Sequence, residues 1–451
     1  MTNETHRIDL ASWVDSAADP ATDFPIQNLP LGIFRRPDAE EPWRVGLAIG
    51  SDVLDLAAAA HSGLLEGPAS RAGSRCASPS LNGLLALDPA QWSALRLRAS
   101  RLLRVDTIEG DRARKLRHEI LIAQADVEMA LPAAVGDYTD FYASVSHATN
   151  VGSMFRPDNP LLPNYKWVPV GYHGRSSSLV VSGTAVRRPI GQSSADGKGP
   201  PLVAPTARLD YEAEVGFLIG QGNAQGEPVA MTHAEEMIFG VCLLNDWSAR
   251  DIQAWEYQPL GPFLSKNFAT TLSPWVVTLE ALEPFRVPAA PRAEGDPAPL
   301  PYLSSERNVA EGGLDVQVEV FLRTSAMREQ GAGPVRLSRS ALADLYWTPA
   351  QLVAHHTSNG CNLRPGDVLG SGTISGAARD ARGCLLELTW RGTEPLRLPN
   401  GEERRFLEDG DEVVLRGWCE REGFARIGFG ECSGVVLPAE PRARDSHPTL
   451  P

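Results

Sequence analysis

The chain has 451 residues, 43% hydrophobic and 22% charged, which is ordinary globular usage; it excludes wholesale disorder and leaves room for roughly two to four domains. Fifty-six acidic against 42 basic residues give a net charge of −14, which argues against a nucleic-acid backbone or an anionic membrane as partner. The 41 glycines and 36 prolines favour short strands joined by turns over a helical bundle.

In chain order, residues 1–130 predict a small β domain closed by helices. Trp43–Ile49 and Val53–Leu56 read as strands around a turn at Gly50–Asp52. Leu116, Ile120, Ala123 and Val127 recur at helical spacing, so the pattern predicts a helix over Arg112–Met129. No cluster of catalytic residue types falls in this region, which leaves it a scaffold or interface role. From Gly136 the chain turns β-rich: Val180–Val186, Glu212–Ile219, Phe239–Leu244, Leu314–Leu322, Leu385–Trp390 and Glu412–Arg416 read as strands, with a short helix over Thr232–Ile238. Pro365 and Gly366 predict a type II turn. Val287–Tyr302, rich in Pro and Ala, reads as a long surface loop and 438–451 as a loose tail.

No apolar run approaches the ~18 to 20 residues of a membrane-spanning helix, and the start lacks the basic and apolar regions of a secretory signal. The six cysteines contain no C-x-x-C and read as small buried apolar residues in a reducing compartment. The expected location is the cytoplasm.

Chemistry-bearing residues concentrate in three segments. Glu212 and Glu214 share one face of a strand, either solvated or, given Val215, Phe217 and Leu218 beside them, buried around a cation or a shared proton. Asp246 ends the apolar strand Phe239–Leu244 and is either a helix N-cap or a ligand. Asp137–Tyr142 adds two acids and two phenols, as a turn with Asx bonds or as further ligands. Together they offer oxygen ligands of the kind that calcium or magnesium prefers, with Arg250 and Lys266 available to offset charge. Arg250 and Gln253, three apart, fit one face of a helical turn, whereas His355 and His356, being adjacent, point different ways and read as structural.

The runs Gly136–Tyr142, His147–Gly152, Pro169–Arg175, Asn245–Gln253, Trp255–Leu264 and Asn359–Asp367 closely resemble the fumarylacetoacetase family, with a match from about Leu131 to Leu437. The resemblance implies a mainly β fold with some α: an N-terminal SH3-like domain over 1–130 and a mixed β-roll or sandwich catalytic domain over 131–451, paired as a homodimer. It implies metal-dependent hydrolysis of fumarylacetoacetate, a small-molecule substrate, to fumarate and acetoacetate in tyrosine and phenylalanine breakdown. Carried onto matching positions, Asp140, Glu212, Glu214 and Asp246 hold a divalent cation, Ca2+ or Mg2+, and Asp246, Lys266 and Thr270 form a second cation site. His147 is the base and Glu387 its carboxylate partner; Arg250, Gln253 and Lys266 stabilise the oxyanion. Tyr142, Arg156, Tyr172, Gln253, Tyr257 and Thr373 contact substrate. An acylpyruvate hydrolase or oxaloacetate decarboxylase on the same fold is the alternative enzyme; such relatives look shorter and lack the Asn245–Leu264 run in this form. A purely structural calcium-binding module would need the carboxylates without His147 and Glu387.

Overall fold

The computed structural model describes residues 2–37, 40–194, 197 and 199–440, so most of the expected C-terminal tail lies outside the described residues. The fold is mixed α/β and strand-rich. Its N-terminal sheet is antiparallel, in the spatial order Leu121–Ala123, Asp52–Asp55, Arg44–Ile49, Leu31–Arg35, Glu128–Ala130. The helix expected over Arg112–Met129 is a correction: helices span Ile108–Lys115 and Arg117–Ile120, and the chain then extends. Leu121–Ala123 pairs with Asp52–Leu54, and Glu128–Ala130 pairs with Ile33–Arg35, so ladder hydrogen bonds across the sheet override the local period.

A central sheet runs Gly171–Gly174, Tyr138–Phe141, Val368–Gly370, Ala213–Ile219, Ile238–Asp246, Thr270–Leu272, Leu179–Val181, with Val277–Thr278 also paired to Ile238–Asp246. Its two faces separate the molecule's cores. Val215, Phe217, Ile219, Val241 and Leu243 face one cluster with Trp247, Trp347 and Phe429. Leu218, Cys242, Leu244 and Val368 face the other, which includes Leu31, Leu47, Leu84 and Leu85 of the N-terminal region. Residues two apart share a face, so Glu212 and Glu214 extend the row of Leu218, Asp246 extends the row of Cys242 and Leu244, and Asp140 shares a face with Tyr138. The acids thus close a face that the N-terminal region supports from its other end. A second five-stranded sheet, Val335–Ala341, Gln317–Arg323, Glu412–Cys419, Ile427–Leu437, Val186–Arg187, covers the first core.

Several other expectations change in detail. Val180–Val186 divides into Leu179–Val181 and Val186–Arg187 around Gly183, whose φ of +89° breaks the strand. Thr232–Ile238 contains a single 3-10 turn, Ala234–Met237. Cys361 is exposed, while the other five cysteines are buried. Leu385–Trp390 is not a strand: Leu385–Leu388 is a helical turn, closed by the Thr389 N–H on the Leu385 carbonyl at 2.8 Å and ended by positive φ at Trp390, Arg391 and Gly392. Leu386–Trp390 alternates apolar and polar, but Leu385, Leu386, Glu387 and Leu388 are all buried, which a short helical turn in the interior permits.

Candidate active site

Five strands of the central sheet end or begin at one edge of the acidic face. Asp140 lies opposite Gly370 in a parallel pair, Gly216 opposite Gly370 in an antiparallel one, and Asp246 opposite Thr270. This register brings ligand oxygens of Asp140, Glu212, Glu214 and Asp246 within 4.8 Å of one another. Exposures of 2%, 6%, 0% and 1% dispose of the solvated-strand reading. Asp246 caps no helix: Ala249 precedes Arg250–Glu256, and the Asp246 carboxylate accepts from Thr270 Oγ1 at 2.7 Å, Lys266 Nζ at 2.6 Å and Tyr172 OH at 3.0 Å. Lys266 also pairs with Glu212, whose other oxygen accepts from Arg250 Nη1 at 2.7 Å. Arg250 reaches Gln253 Oε1 at 3.2 Å within their shared helix.

Electrostatics divide the four acids. Burial pushes Glu212 up, but Lys266 and Arg250 more than offset it, leaving the carboxyl well below the usual range. Burial, then the neighbouring carboxylates, push Asp140 and Glu214 far above theirs. Asp140 Oδ1 and Glu214 Oε1 are buried without a hydrogen-bond partner. Lys266 offsets one of the four negative charges and Arg250, shared between Glu212 and Asp210, offsets only part of another, so net negative charge remains for a dication to neutralise. An all-oxygen, buried, under-satisfied set of this kind fits a hard divalent cation.

Glycines keep that cradle open. A Cβ on Gly370 would stand 2.9 Å from Asp140 Oδ1 and 3.1 Å from Glu214 Oε2. Gly370→Ala should therefore weaken divalent-cation affinity by about tenfold or more, on the 1–3 kcal/mol scale of overpacking, with the fold kept. Calorimetric titration checks this, and parent-like affinity would contradict it. Gly372, at φ +74°, gives its N–H to Glu214 Oε2 at 3.0 Å and passes so close to the Phe141 carbonyl that no side chain fits.

His147, 2% exposed, lies on the helix Val145–Phe155, whose N-cap Ser144 accepts from the His147 N–H. Its Nδ1 is 2.6 Å from Glu387 Oε2, which also accepts from Ser375 Oγ at 2.8 Å and Cys384 Sγ at 3.2 Å; Asn150 Nδ2 donates to Oε1 at 2.8 Å. His147 is near enough to Glu212 to help lower its pKa, so the imidazole and the carboxylate cluster share one site. Burial pushes Glu387 up, but the imidazole and these donors hold it at about 2, below its ordinary 4.5. A depressed carboxyl pKa contributes stability that is present above about pH 4.5 and is lost as pH falls through about 2, here about 3 kcal/mol. The difference in unfolding free energy between the parent and Glu387→Gln should therefore narrow across that window. Denaturant melts at stepped pH measure it; a constant difference would contradict the assignment.

The other expected residues divide. The Tyr142 ring meets His147 edge-on at 5.1 Å, and Thr373, 1% exposed, has an unpartnered Oγ1. Tyr172, Lys266 and Thr270 line a cavity of about 220 Å³ with Tyr138 and Phe263 beside Asp246. Arg156 is exposed and donates to the Pro160 carbonyl, and Tyr257 is 37% exposed, so neither is drawn into the carboxylate cluster. A cavity of about 310 Å³ near Trp92, Arg96 and Phe239 is larger, but it does not reach these acids. His355 and His356 bond Tyr302 and Thr139. Sequence reasoning missed Asn150, one helical turn after His147, and Asp210, two residues before Glu212 but on the separate short strand Leu209–Asp210; those spacings were the available signals.

Residues 27–132 match the family described as Fumarylacetoacetase N-terminal, and residues 137–437 match Fumarylacetoacetate (FAA) hydrolase C-terminal. The chain is 48% identical over 430 residues to the fumarylacetoacetase of Homo sapiens, covering 95% of this chain and 99% of that protein. It is 50% identical over 424 residues to the fumarylacetoacetase of Caenorhabditis elegans, covering 93% and 97%. For that of Oryza sativa subsp. japonica the identity is 46% over 441 residues, covering 97% and 100%. Similarity of this extent runs through both sheets and through every strand that supplies an acid to the cluster, and by it this chain belongs to the fumarylacetoacetate hydrolase family.

Proposed function

We propose that this protein hydrolyses the carbon–carbon bond of fumarylacetoacetate, giving fumarate and acetoacetate, in tyrosine catabolism. The observation that carries the reading is a buried His147–Glu387 pair sharing a site with four buried carboxylates, in a chain similar along nearly its whole length to proteins named fumarylacetoacetase. Asp140, Glu212, Glu214 and Asp246 would hold a divalent cation, Ca2+ or Mg2+, which when bound supplies Lewis-acid stabilisation of charge on substrate oxygens.

The chain's own groups do the rest. Glu387 fixes the Nδ1 proton of His147, so Nε2 takes a proton from water. Hydroxide adds to the carbonyl that becomes a fumarate carboxyl, the adjoining carbon–carbon bond breaks, and the acetoacetate fragment leaves with the electron pair. The proton held on His147 Nε2 is then available to that carbon. Arg250, whose Nη2 is buried without a partner, and Lys266 supply preorganised positive charge for the tetrahedral oxyanion. Gln253 and the Tyr142, Tyr172 and Thr373 side chains would position the substrate. Arg156 and Tyr257, being exposed, would engage its distal carboxylate from the rim.

We read the chain as two domains meeting near residue 130, which the ends of the family matches at 132 and 137 support. We further read it as a cytoplasmic homodimer without nucleic-acid or membrane partners, a reading supported by the −14 charge. Among the described residues no helix is long and apolar enough to cross a membrane. The function is tested by incubating purified, cation-loaded protein and its His147→Ala variant with fumarylacetoacetate. The parent should form fumarate and acetoacetate in equal amounts, and equal rates for the two proteins would overturn the mechanism.

A further inference from the structure

We propose that Asp210 is a positioning residue that locks the Arg250 guanidinium to the helical turn carrying Glu387, so that base and oxyanion donor keep one fixed separation. The proposal rests on the functional reading above.

Asp210 is 0% exposed and accepts four hydrogen bonds. Oδ1 takes the N–H groups of Tyr211 at 2.9 Å and Leu385 at 2.8 Å; Oδ2 takes Arg250 Nε at 2.9 Å and the Leu386 N–H at 2.9 Å. All four partners are N–H donors with nothing to accept a proton, so the arrangement is satisfied only by the carboxylate. On one side, Nε is fixed by Asp210 and Nη1 by Glu212 and Gln253. A guanidinium is planar, so two fixed nitrogens determine where the third, the unpartnered Nη2, stands. On the other side, Leu385 and Leu386 open the turn Leu385–Leu388, and the next residue is Glu387, holding His147. One side chain thus joins Arg250 to a turn 175 residues from Asp210 in sequence and, through them, the two halves of the chemistry. Asp210 also pairs with Ser248 across the short ladder leading to Arg250, so its own backbone is held.

A buried Asp–Arg pair can also serve stability alone, and the fold contains one for comparison. Asp411, 0% exposed, accepts Arg404 Nε at 2.9 Å, Arg404 Nη2 at 3.0 Å and the Glu408 N–H at 2.9 Å, without touching His147, Glu387 or Arg250. The test compares Asp210→Asn, Asp210→Glu, Asp411→Asn and His147→Ala for kcat, KM, bound metal and thermal melting, with saturating divalent cation. Asp210→Asn turns one acceptor into a donor facing donors, and Asp210→Glu displaces the carboxylate by a methylene. Both should lower kcat by about 10- to 100-fold, with KM and metal stoichiometry within about twofold. Asp411→Asn should lose stability and keep kcat. The proposal is overturned by parent-like kcat in either folded Asp210 variant, by loss of metal in place of kcat, by an equal fall in Asp411→Asn, or by failure of both Asp210 variants to fold. Retained activity in His147→Ala would sink the functional reading instead. An inactive His147→Ala beside a fully active Asp210→Asn would sink only the positioning role.

Discussion

Glu387→Gln should slow hydrolysis by about 10²- to 10⁴-fold, the range spanned by acid–base catalysis and triad carboxylate variants, while metal content stays at the parent level. Glu387 receives only donors: His147 Nδ1 at 2.6 Å, Ser375 Oγ, Cys384 Sγ and Asn150 Nδ2. If the new amide nitrogen faces His147, it forces the proton onto Nε2, where water can no longer be deprotonated. If it faces Asn150, the tautomer survives, but the negative charge that stabilises imidazolium is gone. Either orientation costs rate. His147→Ala should be at least as slow, and combining the two changes should add little, because both remove one functional unit. A Glu387→Gln enzyme within about threefold of the parent, outside the range expected for an acid–base group, would mean that another group is the base. The carboxylate cluster would then be the first place to look.

Removing the divalent cation should depress activity by about 10³-fold or more, because Lewis-acid stabilisation of a developing oxyanion is worth several kcal/mol. Four carboxylates crowd within 4.8 Å, and Lys266 and Arg250, the latter shared with Asp210, offset only part of their charge. Asp140 and Glu214 are the two pushed upward by burial and by neighbouring carboxylates, and both carry an unpartnered oxygen. Exhaustive chelation followed by Mg2+ or Ca2+ should abolish and then restore turnover. The chelated protein should remain folded, since Lys266, Thr270 and Tyr172 still hold Asp246. Full activity in protein with far less than stoichiometric metal would contradict this part of the mechanism.

The central strands were legible because their physics is local: Ala213–Ile219 carries an apolar run that begins beside acids and Ile238–Asp246 one that ends in an acid, and burial of both faces follows from those runs. The Arg250–Gln253 turn was legible from spacing alone. What one sequence could not give was register. Asp140 meets Glu214 only because Gly370 lies between them on a strand more than 150 residues from either. The same holds for Leu385–Leu388, whose helical turn is capped by Asp210 from a distant strand. At Leu121–Ala130 a helical period lost to ladder hydrogen bonds that local propensity does not contain.

Hydrolysis is followed as the loss of fumarylacetoacetate ultraviolet absorbance on adding purified, cation-loaded protein, with fumarate and acetoacetate quantified at the end. Rapid loss of absorbance, one molecule of each product per substrate consumed, and no turnover by His147→Ala are expected. Unchanged absorbance with folded, metal-replete parent protein would contradict the proposed function.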